Sequence, residues 1–210
     1  EEKVPSLPGR QWEGVLNALK KLGIKPSEIQ AFVHGTTIAT NSLLEKKGAK
    51  TALITTRGFR DTLEIGRTRR LVGGLFDIQF VRPKPLIERR LRFEVSERTG
   101  ADGEILENIN FEEVDELVKI LKNHEIRSVA VCFVNSYVNN FTEENVRDFL
   151  AERLDFPVCS SSSVVAEQGE FHRFSTCVLN AYLTPVVRNY LNTLSGELTE
   201  RGVDAPVNIM

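Results

Sequence analysis

The sequence of 210 residues is 41% hydrophobic and 27% charged, with a formal net charge of -2 at pH 7, which describes a globular chain able to bury a core in one or two domains. Acidic and basic residues are interspersed, so no basic patch exists to draw a nucleic acid or an anionic membrane, and neither is expected as a partner. No apolar run reaches the roughly 20 residues of a membrane span, and the N-terminus lacks the basic-then-apolar layout of a signal peptide, so the expected location is cytoplasmic.

In chain order, Trp12, Val15, Leu16, Leu19 and Leu22 recur at helical spacing and stop at Gly23, which predicts an amphipathic helix over 11–22 with a glycine terminus. The run IQAFVH (29–34) reads as a buried strand, TIATNSLLEKKG (37–48) as a helix closed by Gly48, KTALITT (50–56) as a strand and GFRDTLEIGR (58–67) as a helix. Strand, helix, strand, helix is the order that yields parallel pairing. Residues 67–89 mix arginines, Gly-Gly and prolines without periodicity and predict a long excursion. Beyond it, RLRFEVSER (90–98) alternates and is expected to pair across the Asp102-Gly103 turn as an antiparallel ribbon. A second α/β run follows: helix 111–123, strand 128–134, helix 142–154 opened by Thr142 as N-cap, and strand 156–162. Residues 171–202 carry helical periodicity interrupted by Pro185, which predicts two helices or one kinked helix, and APVNIM (205–210) reads as the start of a strand. These elements divide into possible sub-units 1–66 and 90–210 joined by the excursion.

Cys132, Cys159 and Cys177 are an odd number inside apolar stretches, as expected of reduced core thiols. With His34, His124 and His172 they show no short ligand spacing, so no metal site is expected. The chain starts at Glu1 and its one methionine is Met210, which reads as a segment of a longer protein.

Two Thr-Thr pairs, in HGTT (34–37) and TTRG (55–58), each end a predicted strand and begin a turn into a helix. In open α/β sheets ligands bind at that carboxyl edge, and free N–H groups with threonine hydroxyls could cradle phosphate oxygens. Threonine is equally a good β-residue and a good N-cap, so the same pairs could be purely structural. Neither GxxxxGK[ST] nor GxGxxG occurs. Glu170, Arg173, Thr176 and Asn180 form one polar stripe along a predicted helix, facing either a cleft or solvent. Arg57, Arg60 and Arg67 surround TTRGFRDTLEIGR, with Arg60 and Glu64 spaced as an i,i+4 pair, and CSSSS (159–163) is a further loop at a strand end.

The stretches VHGTTIATNSLLEKKGAK, LITTRGFRDTLEIGR, RRLRFEVSER, SVAVCFVNSY and FSTCVLNAYLTPVV, in this order, resemble the N-terminal region of the hydantoinase A and 5-oxoprolinase family, to which acetone carboxylase subunits are also similar. The resemblance implies a layered α/β fold, part of the sugar kinase, heat-shock ATPase and actin-like architecture, with ATP and magnesium as cofactors. It also implies an Asp-x-Gly-Gly-Thr loop upstream and a Gln-Ser-Asn-Gly-Gly loop downstream of this sequence, so that residues 1–210 alone are expected to be inactive. The reaction implied is ATP-driven opening of a cyclic amide by phosphorylation of the amide oxygen, with a partner subunit or downstream domain of the hydantoinase B type. An ATP-dependent ketone carboxylase subunit and a non-catalytic binding module are the alternatives. The resemblance makes His34, Asn41 and Arg67 the candidate catalytic residues. Gly35, Thr36, Thr37, Arg57, Glu170, Arg173, Thr176 and Asn180 are the candidate contacts to phosphate or substrate.

Overall fold

The computed structural model describes all residues except 6, 8, 67–78 and 80–83, and Arg67 with most of the predicted excursion therefore lies outside the described residues. The chain forms two compact units, Glu1–Lys47 with Val186–Met210, and Gly48–Pro185. The division falls at 47/48 and 185/186 rather than within 67–89, because the strand before the excursion joins the same sheet as the strands after it.

In the first unit, α1 (Gln11–Leu22) ends where Gly23 adopts φ 65 and returns its N–H to the Lys20 carbonyl, the left-handed terminus that glycine allows without strain. Strand β1 (Phe32–His34) leads through a short turn into α2 (Ile38–Leu44). Its pairing is parallel and with the C-terminal strand β8 (Val207–Ile209), His34 lying opposite Ile209. Leu16 packs with Tyr190, Leu194, Leu198 and Val203 to make the core.

The second unit is a four-stranded, wholly parallel sheet in the order β3-β2-β6-β7, with β2 at Thr51–Thr56, β3 at Arg92–Val95, β6 at Ser128–Cys132 and β7 at Val158–Ser160. Every residue of β2 and β6 is buried, which accounts for their unbroken apolar runs. Around the sheet lie α3 (Thr62–Ile65), α4 (Phe111–Asn123), α5 (Phe141–Ala151) and α6 (Ser161–Val164). The predicted ribbon exists in shortened form. Only β4 (Arg98–Thr99) pairs antiparallel with β5 (Ile105–Glu107), whereas 92–95 leaves the alternating stretch to extend the parallel sheet. Helix α5 begins one residue before Thr142, which is buried inside it, so Asn140 and not Thr142 occupies the N-cap position. Strand β7 is cut short because Ser161–Val164 turn helical, their hydroxyls and N–H groups being drawn to Glu143 and Glu144.

Helix α7 (Glu170–Glu200) is one continuous element that runs through Pro185, and the boundary between the two units falls there. Proline has no N–H to give and crowds the preceding turn, so its place inside a helix costs roughly 3 kcal/mol that packing on either side must offset. No helix among the described residues is long and apolar enough to cross a membrane.

Candidate functional site

In the first unit, β1 delivers His34 to the sheet edge. The His34 carbonyl accepts from Met210 N at 3.0 Å and Thr36 N donates to Met210 O at 3.4 Å, which hangs the HGTT turn on β8. His34 Nε2 lies 2.7 Å from the hydroxyl of buried Tyr190, a residue of α7. Burial holds the His34 imidazole below its ordinary 6.5, so the ring is neutral at pH 7. Burial raises the Tyr190 phenol, with a hydrogen bond from Thr36 acting the other way. Thr36 Oγ1 accepts from Ile38 N at 3.3 Å, and Thr37 Oγ1 accepts from the Asn41 amide at 3.3 Å one helical turn on. Thr37 and Asn41 are exposed, and a side chain placed on Gly35 would meet open space. The turn therefore gathers His34, Gly35, Thr36, Thr37 and Asn41 into one cluster of donors and acceptors beside a neutral His-Tyr pair. Tyr190 sits too far along the sequence for spacing to have suggested it.

The second Thr-Thr pair has a different environment. Thr55 and Thr56 are 0% and 1% exposed, inside the sheet. Thr56 Oγ1 accepts from Val134 N at 3.0 Å and donates to the Glu97 carboxylate, so it clamps the ends of two neighbouring strands together. Thr56 thus has a structural role, and the Thr55 hydroxyl is buried without a hydrogen-bond partner among the described residues. Burial raises the Glu97 carboxyl to about 7, with Glu143 nearby adding to the rise and the Thr56 hydrogen bond opposing it. Its second oxygen is buried without a hydrogen-bond partner.

An open cleft of about 600 Å³ lies above this clamp. After β2 the chain supplies Phe59, Asp61 and Ile65 to it, after β6 Asn135, and the ribbon supplies Arg98. The first turn of α7 adds Glu170, Phe171 and His172. Asn135 holds φ 58, an uncommon conformation for a non-glycine residue; its N–H reaches Glu170 and its amide the Thr99 carbonyl at 3.0 Å. Among the described residues, Glu170 is the one forecast site residue that lines this cleft. Phe59, Arg98 and Asn135 lie in three separate stretches that carry the resemblance, and it is the sheet order that brings them together with Phe171 and His172.

The remaining forecast residues are dispersed. Arg57 is exposed and pairs with Glu113 at 3.2 Å. Arg60 pairs with Glu94 at 2.7 Å rather than with Glu64, which instead takes Arg92 at 3.0 Å, because strand β3 brings stronger partners than the helix surface offers. The stripe along α7 separates. Arg173 is wholly buried, donating to Phe133 O at 2.8 Å, Ser161 Oγ at 3.0 Å and Glu167 O at 3.1 Å, so its donors hold strand and loop ends. Thr176 and Asn180 are exposed, and the Thr176 hydroxyl donates back to the His172 carbonyl. All three cysteines are free, with Cys159 Sγ and Cys177 Sγ 3.5 Å apart. Among the described residues no group of three His, Cys, Asp or Glu side chains could hold a metal ion.

Parallel sheets with flanking helices define a mixed α/β fold, and the comparisons with known proteins place it in the actin-like ATPase type. Residues 1–154 match the hydantoinase/oxoprolinase N-terminal region, and the chain belongs to that family. An uncharacterized protein of Methanocaldococcus jannaschii is 38% identical over 212 residues, which cover 99% of this chain and 31% of that protein. The caprolactamase subunit alpha of Pseudomonas jessenii is 31% identical over 213 residues, covering 97% of this chain and 31% of the subunit. The crystal structure of the ATP-dependent caprolactamase from that organism superposes with a TM-score of 0.82 at 30% identity, over 94% of this chain and 29% of that one. Nucleotide-free acetone carboxylase superposes with a TM-score of 0.82 at 25% identity, over 99% of this chain and 32% of that one. The chain thus spans about a third of the length of these relatives.

Proposed function

We propose that this chain is the N-terminal region of an ATP-dependent enzyme that opens a cyclic amide, a hydantoin, 5-oxoproline or another lactam, and that the HGTT edge meets the reacting end of the substrate or its phosphate donor. The observation that carries the reading is the convergence of His34, Thr36, Thr37 and Asn41 at one accessible turn, in a chain that shares its fold with an ATP-dependent caprolactamase. A cyclic amide resists hydrolysis because its carbonyl is resonance-stabilised and its nitrogen leaves poorly. ATP would supply the phosphoryl group that activates the amide oxygen.

The residues of the turn fit contacts to phosphate oxygens: Thr37 and Asn41 are exposed donors and Gly35 leaves the approach open. Neutral His34, held 2.7 Å from the Tyr190 hydroxyl, can keep or pass a proton at Nε2 without carrying a charge that would repel a cation. Asn41 orients Thr37 through its amide. Magnesium is expected alongside ATP on the strength of the resemblance, without a cage of carboxylates from the described residues. Arg67 retains its proposed catalytic place from the resemblance alone, and Glu170 its proposed ligand contact from its place in the cleft.

The superposition on acetone carboxylase favours a second reading, in which the same activation serves a ketone or bicarbonate. A partner subunit or downstream domain of the hydantoinase B type belongs to both readings, since the caprolactamase relative is itself a subunit. The proposed location is the cytoplasm. The test is ATP hydrolysis by the full-length protein with hydantoins, 5-oxoproline, lactams and small ketones, comparing wild type with Thr37→Val. An exposed hydroxyl contributes little to stability, so turnover lowered on the order of tenfold or more with unchanged melting supports the edge. Unchanged turnover would remove Thr37 from the site, and stimulation by ketones alone would favour the carboxylase reading.

A further inference from the structure

The cleft of the second unit stands at a particular point of the sheet. Strand β2 connects forward to β3 on one side of itself, and β6 connects forward to β7 on the other, while β2 and β6 are neighbours. The loops leaving their carboxyl ends therefore diverge, and a crevice must open between them; in open parallel sheets such switch points are where ligands bind. Phe59 and Asp61 come from the loop after β2 and Asn135 from the loop after β6, so the cleft is that crevice.

Its charges show what it would accept. Both Asp61 oxygens are taken by Arg89, at 2.9 and 3.0 Å, and Glu170 accepts from Arg173 at 3.2 Å and from Asn135 N at 3.3 Å. Each carboxylate thus has an arginine as its partner, Glu170 through one oxygen. Arg98 is the opposite case: its guanidinium lies 4.9 Å over the Phe59 ring and close enough to Glu97 to favour that carboxylate, yet no direct hydrogen bond or ion pair holds it among the described residues. His172 stands at the rim with its ring 5.5 Å from that of Phe171. The rest of the lining mixes polar Thr62 and Asn135 with an apolar face, on which Ile65 is 54% exposed and the Phe171 ring packs toward Gly66. A single planar fork of donors above an apolar wall matches one carboxylate on a hydrocarbon body. A phosphate dianion fits less well, since one arginine would face two charges beside two carboxylates.

We propose that this cleft binds a small organic carboxylate with an apolar body, the carboxylate on Arg98 and the body against Phe59, Ile65 and Phe171. The inference rests on the second unit alone and is independent of the reading of the HGTT edge. Calorimetry on the protein with hexanoate, hexyl phosphate and hexanamide tests it. Hexanoate should bind saturably and on the order of tenfold more tightly than hexanamide, because only the charged head gains the guanidinium. Arg98→Gln should erase that preference, and Phe171→Ala should weaken hexanoate and hexanamide alike. Arg98 makes no direct hydrogen bond or ion pair among the described residues, so its variant should lose little stability beyond the contact with the Phe59 ring, and the two variants separate a lost head contact from a lost wall. Absence of saturable hexanoate binding, equal affinity for hexanoate and hexanamide, or unchanged hexanoate affinity in Arg98→Gln would overturn the proposal. Tighter binding of hexyl phosphate than of hexanoate would overturn the assignment to carboxylates.

Discussion

Glu97→Gln is the perturbation whose size follows most directly from the structure. Glu97 is 2% exposed, and burial raises its carboxyl from 4.5 to about 7. Between those values the folded protein holds a proton that the unfolded chain has released, so stability falls as pH rises through that window. The contribution is fully present below 4.5 and gone above about 7. At roughly 1.4 kcal/mol for each pH step between the two values, the loss from pH 5 to pH 8 is about 2.5 kcal/mol. Glutamine keeps the shape and the oxygen that accepts from Thr56 but has no proton to lose. Urea denaturation of both proteins from pH 5 to pH 8 should therefore show curves that converge at the acid end, with the variant gaining about 2.5 kcal/mol over wild type at the alkaline end. Other titrating groups cancel in the difference. Curves that run parallel to within about 0.5 kcal/mol would mean that Glu97 ionises as an ordinary carboxylate, and the buried clamp at the end of β2 would have to be redrawn.

Arg173→Leu removes a fully buried guanidinium from the acceptors at Phe133, Ser161 and Glu167, and chemical denaturation should register a loss of about 3–5 kcal/mol. Gly48→Ala would bring a Cβ within 2.0–2.3 Å of the Tyr182 ring and should lower the melting temperature by several degrees, whereas Gly35→Ala meets open space and should melt with wild type, so any activity it loses belongs to the HGTT edge. The His34 ring protons, followed by NMR, should titrate with a midpoint below 6.5, and since the folded state resists protonation, the stability it contributes is present above 6.5 and lost as pH falls; a midpoint at or above 6.5 would contradict its burial. Burial raises the Cys132 thiol, and contact with Cys132 and burial raise that of Cys177, so both should react with a thiol reagent at pH 8 only at the rate at which the protein opens.

The sheet was largely legible because its central strands are continuous apolar runs, and a run of that length between turn residues has few other outcomes. Arg92 misleads for a physical reason. It looks like the polar half of an alternating ribbon, yet it is 3% exposed and tied to Glu64 of the short helix α3 and to the Ile87 carbonyl, neither of which the alternating pattern reveals. Glu97 and Glu143 look like surface carboxylates in sequence, and what buries them is a set of N–H and hydroxyl groups arriving from other strand ends. Those donors are invisible to any local window. The same limit applies to the cleft, whose residues acquire a common address only when the strand order is known.

The two Thr-Thr dipeptides show most sharply why residue type at a strand end does not settle function. Each closes a strand and precedes a turn, and the difference lies in what stands beside the strand. Strand β2 is flanked by β3 and β6, so the hydroxyl of Thr56 finds Val134 N and Glu97 within reach and is consumed in joining neighbours. Strand β1 has a single described neighbour, β8, and its pairing ends with His34 opposite Ile209. Among the described residues no second strand stands beside Thr37, whose hydroxyl is exposed and accepts from the Asn41 amide. The Thr56 hydroxyl at the centre of a sheet is thus absorbed into the scaffold, whereas the Thr37 hydroxyl at the end of a two-stranded pairing stays exposed. That asymmetry is the reason to seek the chemistry of this chain at HGTT and to leave TTRG to the fold.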